Sequence, residues 1–120
     1  MRTFASILAF LFALATPVAA LAHVFPKNSS PHVGASVAAS PKQVKVWFEG
    51  ELEPVFSTLI VKNASGTQVS AGNGQVDPKD HALLETALPE ALPAGTYTVY
   101  WSVIARDGHH TEGHFAFTVK

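Results

Sequence analysis

Hydrophobic and polar residues alternate in several short stretches of the chain, which is the pattern of strands with one buried face. The clearest stretches are residues 43–49 and 95–105, where valine and aromatic side chains recur at every second position. Shorter stretches of the same character, bounded by Gly, Pro or Asn, are residues 58–62, 68–70, 83–86 and 114–119. The side chains predicted to face the core are Val44, Val46, Phe48, Tyr97, Val99, Trp101, Val103, Phe115, Phe117 and Val119.

These strands indicate an all-β domain rather than a helical or mixed one. No window of helical length shows an apolar period of about 3.6 residues. Antiparallel strands at this spacing are typical of an immunoglobulin-like sandwich or a Greek-key barrel. We therefore predict a Greek-key β-sandwich (or barrel) of about seven to nine antiparallel strands, which occupies residues 23–120.

Residues 1–22 differ from the rest because they are almost entirely apolar. Arg2 is their only charge, an apolar run follows over residues 4–15, and residues 20–22 supply the small-residue pattern that signal peptidase cleaves. This run is shorter than the roughly 20 apolar residues that a membrane-spanning helix needs. We predict a cleaved signal peptide over residues 1–22 and a mature periplasmic chain that begins at His23 and is not embedded in a membrane.

Composition and charge exclude several classes of protein. The 120 residues suit one domain, and a net charge of −1 lacks the basic excess that nucleic-acid binding requires. The chain has no cysteine, which excludes disulfides, thiolate metal ligands and a cysteine nucleophile. Its one methionine is Met1, so the predicted mature chain offers no sulfur ligand of any kind.

Two distant parts of the chain carry groups that bind metal ions. After cleavage, His23 would offer both its α-amine and an imidazole nitrogen to one metal. Asp107 and His109 lie in the loop between the two best strands, where extended backbone points both side chains to one side, and Gly108 permits a bend. Three nitrogens and one carboxylate oxygen form a planar set that favours Cu(II), with Ni(II) as the competitor.

A plainer interpretation of these residues stays open at this point. An Asp-Gly-His tripeptide between strands is commonly turn chemistry, and a histidine after a cleavage site is commonly accidental. The sequence also does not show that the chain start reaches the loop. The remaining histidines are predicted to lie outside any metal site: His32 and His81 on the surface, His114 on the exposed sheet face, and His110 pointing away from His109.

Five segments, in order, resemble the CopC/PcoC family of periplasmic copper-resistance proteins. They are His23 directly after the signal, then residues 29–35, 48–57, 92–101 and 107–119. The fourth resembles the family's Leu-Pro-x-Gly-x-Tyr-x-Val-x-Trp strand. The fifth begins Asp-Gly-His and ends in alternating phenylalanines, and it resembles the most diagnostic motif of the family.

The resemblance implies a cupredoxin-like Greek-key sandwich that binds one Cu(II) through His23, Asp107 and His109. It further implies a monomer that buffers copper, or delivers it to an inner-membrane transporter of the CopD type, and that is not an enzyme. The chain departs from the family in two ways. It lacks the methionine-rich loop that binds Cu(I) in some members, and either Glu49 or Glu51 stands for the family glutamate near the copper-bound amine.

Two other classes of function are compatible with the same residues. An N-terminal histidine chelate is also the copper-binding group of lytic polysaccharide monooxygenases, which are oxidative enzymes. Those enzymes are larger and keep an open copper position, whereas an aspartate that completes the copper plane favours storage. A metal-free interaction module would need only the predicted sheets.

Overall fold

The alternating residues form strands whose apolar faces meet between two sheets. A computed structural model describes residues 24–120, which contain eight strands. Within these residues no helix is long and apolar enough to cross a membrane. The strands are β1 (Pro26–Ser30), β2 (Ser36–Val37), β3 (Gln43–Phe48), β4 (Thr58–Lys62), β5 (Gln75–Val76), β6 (Leu83–Ala87), β7 (Gly95–Ile104) and β8 (His110–Val119).

Each sheet has four strands and draws them from distant parts of the chain. The first sheet has the order β1-β3-β6-β5, and the second has the order β2-β8-β7-β4. Neighbouring strands are antiparallel except for β2, which runs parallel to β8. The longest ladder joins β7 to β8 and runs from the pair Gly95–Val119 to the pair Ile104–His110. This hairpin carries the loop of residues 105–109 at its tip.

The core lies between the two sheets and is built from the side chains that alternate inward. Phe48 of the first sheet meets Trp101 of the second edge to face, with ring centroids 5.5 Å apart. Gly113 leaves room for the Trp101 ring, because a Cβ at that position would lie 2.6 Å from the Trp101 ring atom Cζ2. Burial of this apolar surface holds the two sheets together in a chain that has no disulfide.

The predicted fold class is confirmed, and so is the set of core-facing side chains. All ten residues predicted to point inward are buried. Strands β3, β4, β6 and β7 follow the predicted stretches to within a residue. Residues 1–22, predicted to be the signal peptide, and His23 lie outside the described residues.

Four details of the strands differ from the prediction. The predicted strand over residues 68–70 is reduced to a single bridge between Lys62 and Gln68, because the Ser70 hydroxyl rather than a backbone carbonyl accepts the N–H of Val61. A further strand that was not predicted, β5, pairs with β6. Strand β8 begins at His110, four residues earlier than predicted. Strands β1 and β2 were not predicted, because β1 is a polar edge strand and β2 has only two residues.

Three loops meet at the end of the sandwich where the β7–β8 hairpin turns. Leu52 forms an antiparallel bridge with Ala105, and the Leu52 N–H donates to the His81 carbonyl at 2.9 Å. The Glu53 N–H donates to the Ile104 carbonyl at 2.7 Å. Backbone hydrogen bonds therefore attach the loops after β3 and before β6 to the base of the hairpin loop.

Candidate metal centre

The loop of residues 105–109 is a tight turn closed by two backbone hydrogen bonds. The Gly108 N–H donates to the Ala105 carbonyl, and the Ala105 N–H donates to the His109 carbonyl, each at 2.9 Å. Gly108 has φ of +91°, in the left-handed region that side chains with a Cβ rarely adopt. The glycine thus allows the chain to reverse within the loop while Asp107 and His109 project from it.

Asp107 and His109 contact each other through both carboxylate oxygens. Asp107 Oδ2 lies 2.9 Å from His109 Nδ1, and Asp107 Oδ1 accepts a hydrogen bond of 3.0 Å from the His109 backbone N–H. These contacts, the side-chain one foremost, hold the pKa of Asp107 below its ordinary value. The carboxylate is therefore ionised at neutral pH, and both side chains are nearly half exposed to solvent.

The spacing of this pair suits two neighbouring ligands of one metal ion. Metal bonds of about 2.0–2.2 Å to nitrogen and carboxylate oxygen put adjacent corners of a square plane about 2.8–3.1 Å apart. The separation of 2.9 Å between Asp107 Oδ2 and His109 Nδ1 lies in that range. The same contact is also compatible with a second arrangement, in which the Asp107 carboxylate accepts the Nδ1–H of His109 and orients the imidazole to bind a metal through its other nitrogen, Nε2.

The pair needs a further donor to hold a metal ion. Across residues 24–120, no group of three or more His, Cys, Asp or Glu side chains is placed to bind one. The loop brings together two of the three predicted ligands, Asp107 and His109. The third predicted ligand, His23, lies outside the described residues, directly before Val24 in the chain.

The beginning of the described chain is tied to the same hairpin. The Thr111 hydroxyl donates a hydrogen bond of 2.7 Å to the Val24 carbonyl, across 87 residues of sequence. Both residues are buried, and Val24 belongs to the core cluster. Thr111 follows His109 by two positions, so this bond attaches the first described residue to β8 just beyond the hairpin loop.

Arg106 attaches the loop to its neighbours through side-chain and backbone contacts. Its Nη2 donates to His81 Nδ1 at 2.7 Å, and its Nε lies 3.7 Å from Glu51 and 3.9 Å from Glu53. Its backbone N–H donates to the Glu51 carbonyl at 3.2 Å. Because these side chains are largely exposed, each ion pair adds little stability by itself. Together they tie the hairpin loop to the loops after β3 and before β6.

The other histidines lie where the sequence predicted, with one difference. His32 and His114 are exposed, and His110 Nε2 lies 2.8 Å from Ser102 Oγ on the outer sheet face, apart from the Asp107–His109 contact. His81, predicted to be a solvated surface residue, is instead partly buried and accepts the hydrogen bond from Arg106. His81 therefore contacts the hairpin loop through the side chain of Arg106.

The two glutamates left open by the sequence occupy different surroundings. The Glu49 N–H donates to the Phe25 carbonyl at 3.0 Å, which places Glu49 beside the first residues of the described chain. The carboxylate of Glu51 instead faces Arg106.

Sequence reasoning missed two residues that position this end of the molecule. Thr111 carries a detectable signal, because it is a hydroxyl residue on the same face of β8 as the buried side chains Phe115, Phe117 and Val119. A buried hydroxyl in a strand needs a hydrogen-bond partner, and here that partner is the Val24 carbonyl. Arg106 has no comparable signal, since its partners lie on loops that only the fold brings together.

Comparison with known proteins gives consistent matches over nearly all of the described chain. The family model described as the CopC domain matches residues 26–120. The copper transport protein CutJ of Bacillus subtilis (strain 168) is 26% identical over 113 residues, which cover 94% of this chain and 21% of that protein. The chain thus spans about a fifth of the length of that curated relative.

Two solved structures share the fold at substantial sequence identity. CopC from Methylosinus trichosporium OB3b superposes with a TM-score of 0.75 at 36% identity, covering 82% of this chain and 94% of that one. PcoC, a methionine-rich copper resistance protein from Escherichia coli, gives a TM-score of 0.71 at 31% identity, covering 82% of this chain and all of that one.

The hydrogen bonds to Asp107 predict the effect of removing its partner. In the metal-free protein, His109→Ala should raise the pKa of Asp107 towards its ordinary value of 3.8, because the largest cause of the lowering is lost. Since folding lowers this pKa, the contact stabilises the loop above about pH 4 and loses that contribution as pH falls through the lowered value. Side-chain carboxyl titration by NMR measures the change.

Asp77 serves as the internal control for this titration. Its pKa is also lowered, chiefly by the backbone N–H of Lys79, and that contact does not involve His109. The Asp77 titration should be the same in both proteins. An unchanged pKa of Asp107 in His109→Ala would contradict the role assigned to the side-chain contact.

Proposed function

The chain belongs to the CopC domain family of copper resistance proteins, and on that premise we propose that it is a periplasmic Cu(II)-binding protein. In this proposal copper is the cargo, which the protein buffers or delivers, and the protein is not an enzyme. The ligands are the α-amine and imidazole of His23, a carboxylate oxygen of Asp107 and an imidazole nitrogen of His109. Residues 1–22 are the export signal whose removal creates the amine.

The observation that carries this proposal is the hydrogen bond between Thr111 and Val24. One peptide bond, about 3.8 Å between Cα atoms, separates Val24 from the residue before it. His109 lies two positions before Thr111, a Cα–Cα distance of roughly 7 Å in extended chain. An amine and imidazole on the residue before Val24 are therefore within reach of the Asp107–His109 pair, which supports a site shared between the chain start and the hairpin loop.

The donor set supports copper(II) in particular. The proposed mature chain has neither cysteine nor methionine, so nitrogen and oxygen are its only ligands. Such ligands in a plane suit Cu(II), whereas thiolate and thioether ligands select Cu(I). The name of PcoC describes that relative as methionine-rich, and this chain differs from it in that respect. We therefore assign one Cu(II) site and no methionine Cu(I) site.

The comparison with the Bacillus protein supports delivery as one use of the bound copper. There a region similar to this chain is a fifth of a longer protein named for copper transport. A separate monomeric domain of the same kind is suited to bring copper to an inner-membrane transporter of the CopD type. The exposed position of Asp107 and His109 is compatible with such a transfer, because a second protein can approach them directly.

Extending the chain before His23 tests the proposed amine ligand. A single Gly placed before His23 converts the amine into an amide, so Cu(II) affinity should fall at least about 100-fold, beyond the roughly 10–100-fold typical of groups that only orient a ligand. Competition with a Cu(II) chelator measures the affinity, and the mature protein beginning at His23 is the reference. Equal affinities and equal electron paramagnetic resonance spectra would remove the amine from the site.

Substitutions in the hairpin loop test the other two ligands. Asp107→Ala and His109→Ala should each weaken Cu(II) binding by about 100-fold or more and change the spectrum, since each removes a donor atom. A smaller loss for Asp107→Ala, about 10–100-fold, would indicate that this carboxylate orients His109 instead of binding copper. His110→Ala and His114→Ala are matched controls on the neighbouring strand. A larger loss for His110→Ala than for His109→Ala would contradict the assignment.

The donor set also predicts the dependence on oxidation state and pH. Cu(I) should bind much more weakly than Cu(II), because the site has no sulfur. Free imidazole and α-amine titrate near about 6.5 and 8, so Cu(II) affinity should fall from neutral pH to about pH 5 as protons compete. Asp107 stays ionised throughout this range because its pKa is lowered from 3.8. Tight Cu(I) binding, or a Cu(II) affinity independent of pH, would contradict the proposal.

A further inference from the structure

Thr111 is the residue through which the hairpin holds the beginning of the chain. We propose that Thr111 is a positioning residue for the copper site, which acts through Val24 and is not itself a ligand. Its hydroxyl fixes the position of the Val24 carbonyl. In this proposal the fixed Val24 holds the residue before it, His23, so that its amine and imidazole can reach the copper bound by Asp107 and His109. This inference rests on the proposed function, because it concerns the geometry of that same site.

The contact has the features of a structural hydrogen bond rather than a surface one. The Thr111 Oγ1 to Val24 oxygen distance is 2.7 Å, and the two residues expose only 9% and 7% of their surface. Val24 also lies against Gly50, where a Cβ would stand 3.4 Å from Val24 Cγ2. A buried carbonyl that loses its donor pays the full cost of desolvation, so the native position of Val24 depends on this hydroxyl.

The bond joins the two sheets at the point where the first sheet ends. Strand β1 pairs with β3, and its first registered pair is Pro26 with Phe48. The Phe25 carbonyl extends that attachment by accepting the Glu49 N–H. Val24 comes before these contacts, and it is held instead by Thr111 on β8 of the other sheet. Thr111 is therefore the connection between the chain start and the strand that leads out of the metal-binding loop.

Such a connection matters because the proposed ligands come from both ends of the chain. If Val24 moves freely, copper binding must also order the chain start, and that ordering weakens the observed affinity. A chain start that is already held in position before copper binds avoids this loss of affinity. Removing one hydrogen bond of this kind should weaken Cu(II) binding by about tenfold, less than the loss expected for removing a ligand.

Three variants of the mature protein separate this role from a general effect on folding. Thr111→Val removes the hydroxyl and keeps the shape, and Thr111→Ser keeps the hydroxyl. Thr86→Val is the matched control, because Thr86 is a buried threonine of β6 whose hydroxyl donates to the Ala71 carbonyl at 3.4 Å. Two properties are measured: Cu(II) affinity with its electron paramagnetic resonance spectrum, and the rate at which an aminopeptidase removes His23 from the metal-free protein.

The expected result is specific to the hydroxyl of Thr111. Thr111→Val should bind Cu(II) about tenfold more weakly, show an altered spectrum and lose His23 faster, whereas Thr111→Ser and Thr86→Val should behave like the unmodified protein. Equal affinity and spectrum in Thr111→Val would overturn the inference, and so would an equal effect of Thr86→Val. If the unmodified protein does not bind Cu(II), the proposed function itself fails, and this result is distinct from any difference between the Thr111 variants.

Discussion

The proposed copper site depends on one geometric constraint, which is that the chain start must lie beside a hairpin loop more than 80 residues further along. The hydrogen bond from the Thr111 hydroxyl to the Val24 carbonyl, across 87 residues, brings the first described residue to the strand that follows this loop. It acts between the two sheets, at the end where the loops after β3 and before β6 also join the hairpin. The rest of the sandwich holds the two sheets against one buried core, to which Val24 also belongs.

The loop itself is ordered by contacts that leave the side chains of Asp107 and His109 accessible to solvent. Gly108 permits the reversal, Arg106 holds the side of the loop to residues of two neighbouring loops, and Asp107 fixes His109 through two hydrogen bonds. Side chains in such a loop are ordered without being deeply buried. That combination suits a protein proposed to bind copper firmly and release it to another protein, since cargo must be reachable as well as retained.

The sequence predicts the fold well because the core of a sandwich follows a simple alternating pattern. Every side chain assigned to the core from residues 43–49, 95–105 and 114–119 is buried. The polar edge strand β1 lacks that pattern, and its position depends on pairing with β3, so it could not be predicted from its own residues. Two-residue strands such as β2 depend entirely on tertiary context.

The candidate site was predictable only in part, for a similar reason. The sequence predicted Asp107 and His109 on one side of an extended loop; the structure brings their side chains into contact through a tight turn instead, in which Gly108 has φ of +91° and Asp107 Oδ1 accepts the His109 N–H. The attachment of Val24 to β8 is a long-range property, carried by Thr111 and the order of the strands. The anchoring of the loop by Arg106 likewise requires loops that the sequence keeps far apart.

The most direct test of this account is a crystal structure of the mature protein, beginning at His23 and loaded with Cu(II). We expect one copper ion at the tip of the β7–β8 hairpin, with the His23 amine and imidazole, an Asp107 oxygen and a His109 nitrogen at about 2.0–2.2 Å. Copper bound elsewhere, for example at His110 and His114, or bound at the loop without the His23 amine, would contradict the central claim.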